Sequence, residues 1–199
     1  DDHPDTTTQN FSFETFEFGD GYESSYFNDV WIFDENNIWA VGEIRLASGL
    51  TNILRWNGSK WYSQKPWFTS SGFKGIWAID SSNIYFASGA IRKYENGQFI
   101  EFDLGYLGFS NGQGVHKLWG SSENNIWGVG PAGTIVHYNG NEWKKIDFDT
   151  DWRFWDITGN QESGIAYAAA RGSGFVSIIV KLENSPQIIF NAEIIILNE

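Results

Sequence analysis

The chain of 199 residues is long enough for one sizeable core, and its formal charge of −12 comes from 25 acidic and 13 basic residues. The five Arg and eight Lys are scattered, so no basic stripe is available to displace counterions; this argues against nucleic acid and against an anionic membrane surface. With no Cys there is no disulfide, thiolate metal site or Cys nucleophile, and no apolar run approaches the ~20 residues that cross a bilayer.

Residues 1–10, DDHPDTTTQN, are polar and acidic, too poor in apolar surface to offset the cost of ordering, and read as a flexible leader. The first 30 residues carry eight acids and no base. Residues 11–18, FSFETFEF, alternate like an outer strand that lacks its three companions.

From residue 27 a pattern recurs. NNIWAVG (36–42) returns as SNIYFASG (82–89) and as NNIWGVG (124–130). Each copy is preceded by a Trp eight residues before its aromatic: Trp31 and Trp39, Trp77 and Tyr85, Trp119 and Trp127. A fourth pair, Trp155 and Tyr167, is twelve apart, with the insertion TGNQESG between. Behind each copy a turn is flanked by residues five apart: Trp56 and Trp61, Tyr94 and Phe99, Tyr138 and Trp143, and finally Leu182 and Gln187. The leading Trp recurs at intervals of 46, 42 and 36.

One period reads as four short strands. NDVWIFD is the first, NIWAVGEI the second, TNILRW the third and KWYSQK the fourth, with Asn57-Gly58 supplying positive φ for a two-residue hairpin turn. No period shows a helical repeat of apolar residues. Four antiparallel strands in about 40–45 residues is the blade of a β-propeller. The fold is therefore all-β, with blades at about 27–66, 73–104, 115–148 and 152–190, in which the first strand lies nearest the axis. The closing AEIIIL reads as a possible next-blade strand at 192–197, so the chain is a small closed propeller or part of a larger one. The repeat-matched Trp31, Trp39, Trp77, Trp119, Trp127 and Trp155 are assigned to the packing between blades, as are Trp61 and Trp143.

N-N-I-W-A-V-G, followed by G-T-I-V-H-Y-N-G-N-E-W at 133–143, resembles the propeller repeats of secreted proteins and lipoproteins of Bacteroidota-type bacteria. The resemblance covers about residues 27–190. It implies an exported or outer-surface protein, with the acidic leader similar to the tether that follows a lipid-modified cysteine. More distantly the chain is similar to tectonin-type propellers, which bind glycans, and to the Asp-box propellers of sialidases. It keeps the Gly-x-x-Trp of that box at Gly58–Trp61 and Gly140–Trp143, but Trp56 and Tyr138 stand where the box has Asp.

Catalytic signals are weak. The three His (His3, His116 and His137) show no ligand spacing, so no metal and no cofactor are expected, and His137 reads as structural. No two acids can be placed across a scissile bond, which leaves a glycoside hydrolase as the outlying reading. The loops from each fourth strand to the next first strand depart from the repeat: PWFTSSGFK (66–74), DLGYLGFSNGQGVHK (103–117) and DFDTDWR (147–153). Their Trp67, Phe68, Tyr106, Phe109, His116, Trp152 and Arg153 are the candidate ligand-binding residues, since loops on a rigid scaffold collect binding groups. EIRLASGLT (43–51) is a smaller candidate on the same face. The expectation is a non-catalytic binding module for a glycan or a protein partner, or else an assembly subunit completed by another chain.

Overall fold

The computed structural model describes residues 12–19, 25–64, 72–148, 150–173, 176–183 and 193–194. Four four-stranded antiparallel sheets form a four-blade β-propeller. Blade 1 holds β1 (Tyr26–Asp34), β2 (Asn37–Leu46), β3 (Gly49–Trp56) and β4 (Trp61–Gln64). Blade 2 holds β5 (Gly75–Asp80), β6 (Asn83–Ser88), β7 (Ala90–Glu95) and β8 (Gln98–Phe102). Blade 3 holds β9 (Lys117–Ser122), β10 (Asn125–Val129), β11 (Ile135–Tyr138) and β12 (Trp143–Lys145). Blade 4 holds β13 (Arg153–Gly159), β14 (Ala166–Arg171), β15 (Ser177–Leu182) and β16 (Glu193–Ile194). The first strands lie side by side, β1 against β5, β5 against β9 and β9 against β13. Among the described residues no comparable contact joins β13 to β1.

Successive blades bury each other because the strands are apolar on both faces. In β2 Trp39, Ala40 and Val41 are all buried, although adjacent side chains point to opposite sides. The forward face of blade 1 (Trp39, Val41, Ile53) meets Ile76, Ala78, Ile84 and Phe86 of blade 2. Blade 2 presents Trp77, Tyr85, Ala87 and Ile91 to Leu118, Ile126 and Val136 of blade 3. Blade 3 presents Trp119, Trp127, Val129 and Ile135 to Phe154, Ile157, Ala166 and Ala168 of blade 4. A fully buried Trp such as Trp39 or Trp127 contributes on the order of 4 kcal/mol of transfer free energy before ordering costs. The room for these rings comes from small residues opposite. A Cβ at Gly120 would lie 2.8 Å from Cη2 of Trp77, and one at Gly159 2.7 Å from Cη2 of Trp119.

His137 is structural, buried in β11 with Nε2 2.7 Å from Oδ1 of Asn125 and its ring 4.2 Å from that of Trp127. Asn125 in turn donates to the carbonyl of Gly164, tying blade 3 to the β13–β14 loop of blade 4.

Four expectations need correction. Trp155 is not packed between blades; it is 54 % exposed. A register shift between Phe154 and Asp156 makes Thr158, not Trp155, the partner of Tyr167, so Thr158 is the counterpart of Trp31, Trp77 and Trp119. Residues 12–18 of FSFETFEF are not a strand: Phe16 and Phe18 instead lay their rings on Trp61 of blade 1, with centroids 5.8 Å away in each case. At the other end β16 pairs with β15 as the fourth strand of blade 4, so AEIIIL supplies that strand rather than the first of a next blade. Residues 187–190, at the end of the range expected for the fourth blade, lie outside the described residues. Finally, Asn57-Gly58 is not a two-residue turn. Four residues separate β3 from β4, and Asn57 Oδ1 accepts from the backbone N–H of Ser59 and Lys60. Asn96-Gly97, with φ of 51° and 81°, is the Asn-Gly pair with both residues in the left-handed region.

Candidate functional site

The first strands of all four blades begin at the end where the irregular loops open. Asn28 and Asp29 lie there on β1, Lys74 just before β5, His116 and Lys117 at β9, and Arg153 at β13. Asp29 organises them. Its Oδ2 accepts from Lys117 Nζ at 2.8 Å and from the backbone N–H of Ile76 at 3.2 Å. Lys117 Nζ also donates to the carbonyl of Asn28, and Asn28 Nδ2 donates to the carbonyl of Phe73 at 2.6 Å. Blades 1, 2 and 3 are thus joined at the axis by one polar network.

The charge left over is positive. Asp29 offsets Lys117, whereas among the described residues neither Lys74 nor Arg153 pairs with a carboxylate. Each stands over an aromatic instead: Lys74 Nζ is 5.3 Å from the ring centroid of Tyr26, and Arg153 Cζ is 4.7 Å from that of Trp155. Burial lowers the pKa of His116, and the nearby charges of Arg153, Lys74 and Lys117 lower it further. His116 is therefore a neutral member of a cationic mouth, in a chain whose overall charge is −12.

A second region is built by the loop between β8 and β9. Asp103 Oδ1 accepts from the N–H of Gly105 and opens a short 3₁₀ turn, Gly105–Leu107, while Leu104 anchors it in the core. Tyr106 is exposed, with its hydroxyl donating to the carbonyl of Trp143 at 2.7 Å. Phe109 packs on the core between blades 2 and 3, with Lys145 Nζ 5.9 Å from its ring centroid. Gln113 Oε1 accepts from Lys145 Nζ at 3.0 Å, and its Nε2 donates to the carbonyl of Ala132. An open cleft of about 410 Å³ lies between Gly89, Phe102, Phe109 and Gln113. Another, of about 360 Å³, lies between Gln113, Lys145, Asp147 and Thr150.

The candidate residues therefore separate. His116 and Arg153 belong to the axial mouth, and Tyr106 and Phe109 to the loop region. Trp152 is partly buried, its ring 5.5 Å from that of Phe148, and its indole edge fills the space beside Gly172. Trp67 and Phe68 lie outside the described residues. The EIRLASGLT stretch extends the β2–β3 hairpin, closing in a turn at Ala47-Ser48. Asp29, Lys74, Lys117, Gln113 and Lys145 were not anticipated. The one available signal was a polar or charged residue at the start of each first strand. Among the described residues no group of three His, Asp or Glu is placed to hold a metal ion.

No family model matches the chain, and no curated protein matches it. Solved structures do. The structure titled "YCF48 bound to D1 peptide" aligns at TM-score 0.55 and 14 % identity, covering 81 % of this chain and 50 % of that one. The structure titled "Crystal Structure of the extracellular domain of the putative one component system BT4673 from B. thetaiotaomicron" aligns at TM-score 0.59 and 12 % identity, covering 84 % of this chain and 22 % of that one. The chain thus spans half or less of these relatives, and at such identities the likeness is one of fold.

Proposed function

We propose that this chain is a non-catalytic binding module that holds a partner polypeptide on the face where its fourth-to-first-strand loops open. The observation that carries this is the axial mouth: Lys74 and Arg153, each backed by an aromatic ring, in an otherwise acidic protein. Cations flanked by rings suit an acidic side chain or a terminal carboxylate, and the loop cleft beside Phe109 and Gln113, whose rim also carries Glu101 and Asp103, suits an uncharged or basic stretch of the same segment. The YCF48 structure contains a bound peptide, which supports a peptide ligand for this fold.

A glycan is the second reading. Sugar stacking needs free aromatic faces; Phe109 and Trp152 are packed into the core, which leaves the exposed rings of Tyr106 and Trp155, on separate parts of the surface, as the stacking groups. The peptide reading is the better supported of the two. An exported or outer-surface location belongs to the same proposal, supported by the resemblance to secreted repeats and by the extracellular domain among the solved structures. No helix among the described residues is long and apolar enough to cross a membrane.

Paired arrays test the reading, one of acidic, neutral and basic 12-residue peptides and one of glycans. Retention of acidic peptides is expected, with loss on Lys74→Glu combined with Arg153→Glu. Binding of glycans alone would transfer the site to the loop aromatics, and binding of neither would overturn the proposal.

A further inference from the structure

In blades 1 to 3 the second strand is buried on both faces, but in β14 burial alternates strictly along AYAAAR. The forward face of blade 4 is the uncovered one. Tyr167 is 40 % exposed where Trp39, Tyr85 and Trp127 are 1 %, 2 % and 1 % exposed. Ile179, paired with Ala169, is 43 % exposed where its counterparts Ile53, Ile91 and Ile135 are fully buried. The rear face of blade 1 is the matching half. Val30 and Ile32 are 53 % and 63 % exposed where Ile76 and Ala78 of blade 2 are 4 % each.

The residues at the inner edge of these two faces are size-matched in the opposite sense to every other junction. Trp31 meets the cluster holding Ala78, Trp77 meets Gly120 and Trp119 meets Gly159: large on the forward face, small on the rear. At the free ends the order reverses, with the small Thr158 on the forward face of blade 4 and the large Ile32 on the rear face of blade 1. The two free faces are thus complementary in size, and among the described residues no contact like those between the other neighbouring first strands joins β13 to β1.

We infer that a second copy of this chain covers the forward face of blade 4 with the rear face of its own blade 1, head to tail. Repeating the contact with the roles exchanged closes a two-fold ring of blades, because a heterologous contact that closes makes a ring rather than a fibre. Phe16 and Phe18, which lie on Trp61, cover the outer part of the blade 1 rear face and leave Val30 and Ile32 open.

Sedimentation of the 199-residue chain between about 1 and 100 µM tests this. The wild type is expected to dimerise, and Ile32→Glu and Ile179→Glu, both at exposed positions, to be folded monomers by circular dichroism. Mixing the two variants should restore a dimer, because one of the two junctions then joins two unaltered faces. A wild type that stays monomeric throughout overturns the proposal. So does a dimer lost with Ile179→Glu but kept with Ile32→Glu, which would mean blade 4 packing on blade 4. Occupation of the face by a blade of a different polypeptide would appear as the first of these results.

Discussion

Nζ of Lys117 lies 2.8 Å from Oδ2 of Asp29, joining the first strands of blades 1 and 3 past the blade between them. The same carboxylate receives the backbone N–H of Ile76 and, through Oδ1, that of Val30. One side chain therefore fixes three blades in relation to one another at the mouth where binding is proposed.

Asp29→Ala should accordingly destabilise the fold more than Lys117→Met. Removing Asp29 strands the N–H of Ile76 and leaves the Lys117 ammonium only the carbonyl of Asn28, and a loss of about 2–3 kcal/mol is expected; removing Lys117 leaves a carboxylate still held by N–H donors, at about 1 kcal/mol or less. Urea unfolding of the two variants checks the order. Equal losses would mean that the contact is a surface ion pair without a bracing role.

Trp39→Ala and Trp155→Ala should differ sharply, although the repeat assigns both residues to the packing between blades. Trp39 is 1 % exposed and its loss opens a cavity between blades, worth about 3–5 kcal/mol. Trp155 is 54 % exposed, so its removal should cost under about 1 kcal/mol in the isolated chain. Thermal unfolding of both distinguishes them.

That contrast shows how far the sequence could be read. The number of blades, the strands within them and the identity of most core Trp residues were legible because every blade must cover the next with the same surface. Trp155 misled because the irregularity between Phe154 and Asp156 moves the register, and a bulge leaves no mark on the spacing of aromatics. The aromatic alternation of FSFETFEF imitated a strand, while its rings are used to cover Trp61. The axial mouth was largely hidden. Asp29, Lys74, Lys117 and Arg153 lie on four separate blades and converge only through the topology.

Stability should rise with pH between about 4 and 6.5 because of His137. Burial holds its pKa down to about 4 in the folded chain, against an ordinary value of 6.5. The unfolded chain therefore binds the extra proton throughout this window. Stability is fully present above 6.5 and falls as pH drops towards 4, by up to roughly 3 kcal/mol. His137→Gln should flatten that part of the profile, measured by urea unfolding at intervals of half a pH unit. An unchanged slope would place the titration elsewhere, with half-buried His116 the next candidate, since its pKa is lowered too.

Gly120→Val should cost about 2–4 kcal/mol, since a Cβ there would meet Trp77 at 2.8 Å and the carbonyl of Asn125 at the same distance. Trp77→Leu in the same chain should recover part of the loss by vacating space, a coupling that a double-mutant cycle reads directly. Strict additivity would contradict the large-to-small pairing between blades.

The central claim, a peptide-binding mouth at the propeller axis, is tested most directly by titrating an acidic 12-residue peptide into the wild type and into the Lys74→Glu/Arg153→Glu variant by calorimetry. The prediction is saturable binding to the wild type that weakens with added salt, at least a tenfold loss in the variant, and an unchanged melting temperature. Undiminished affinity in the charge-reversed protein would contradict it.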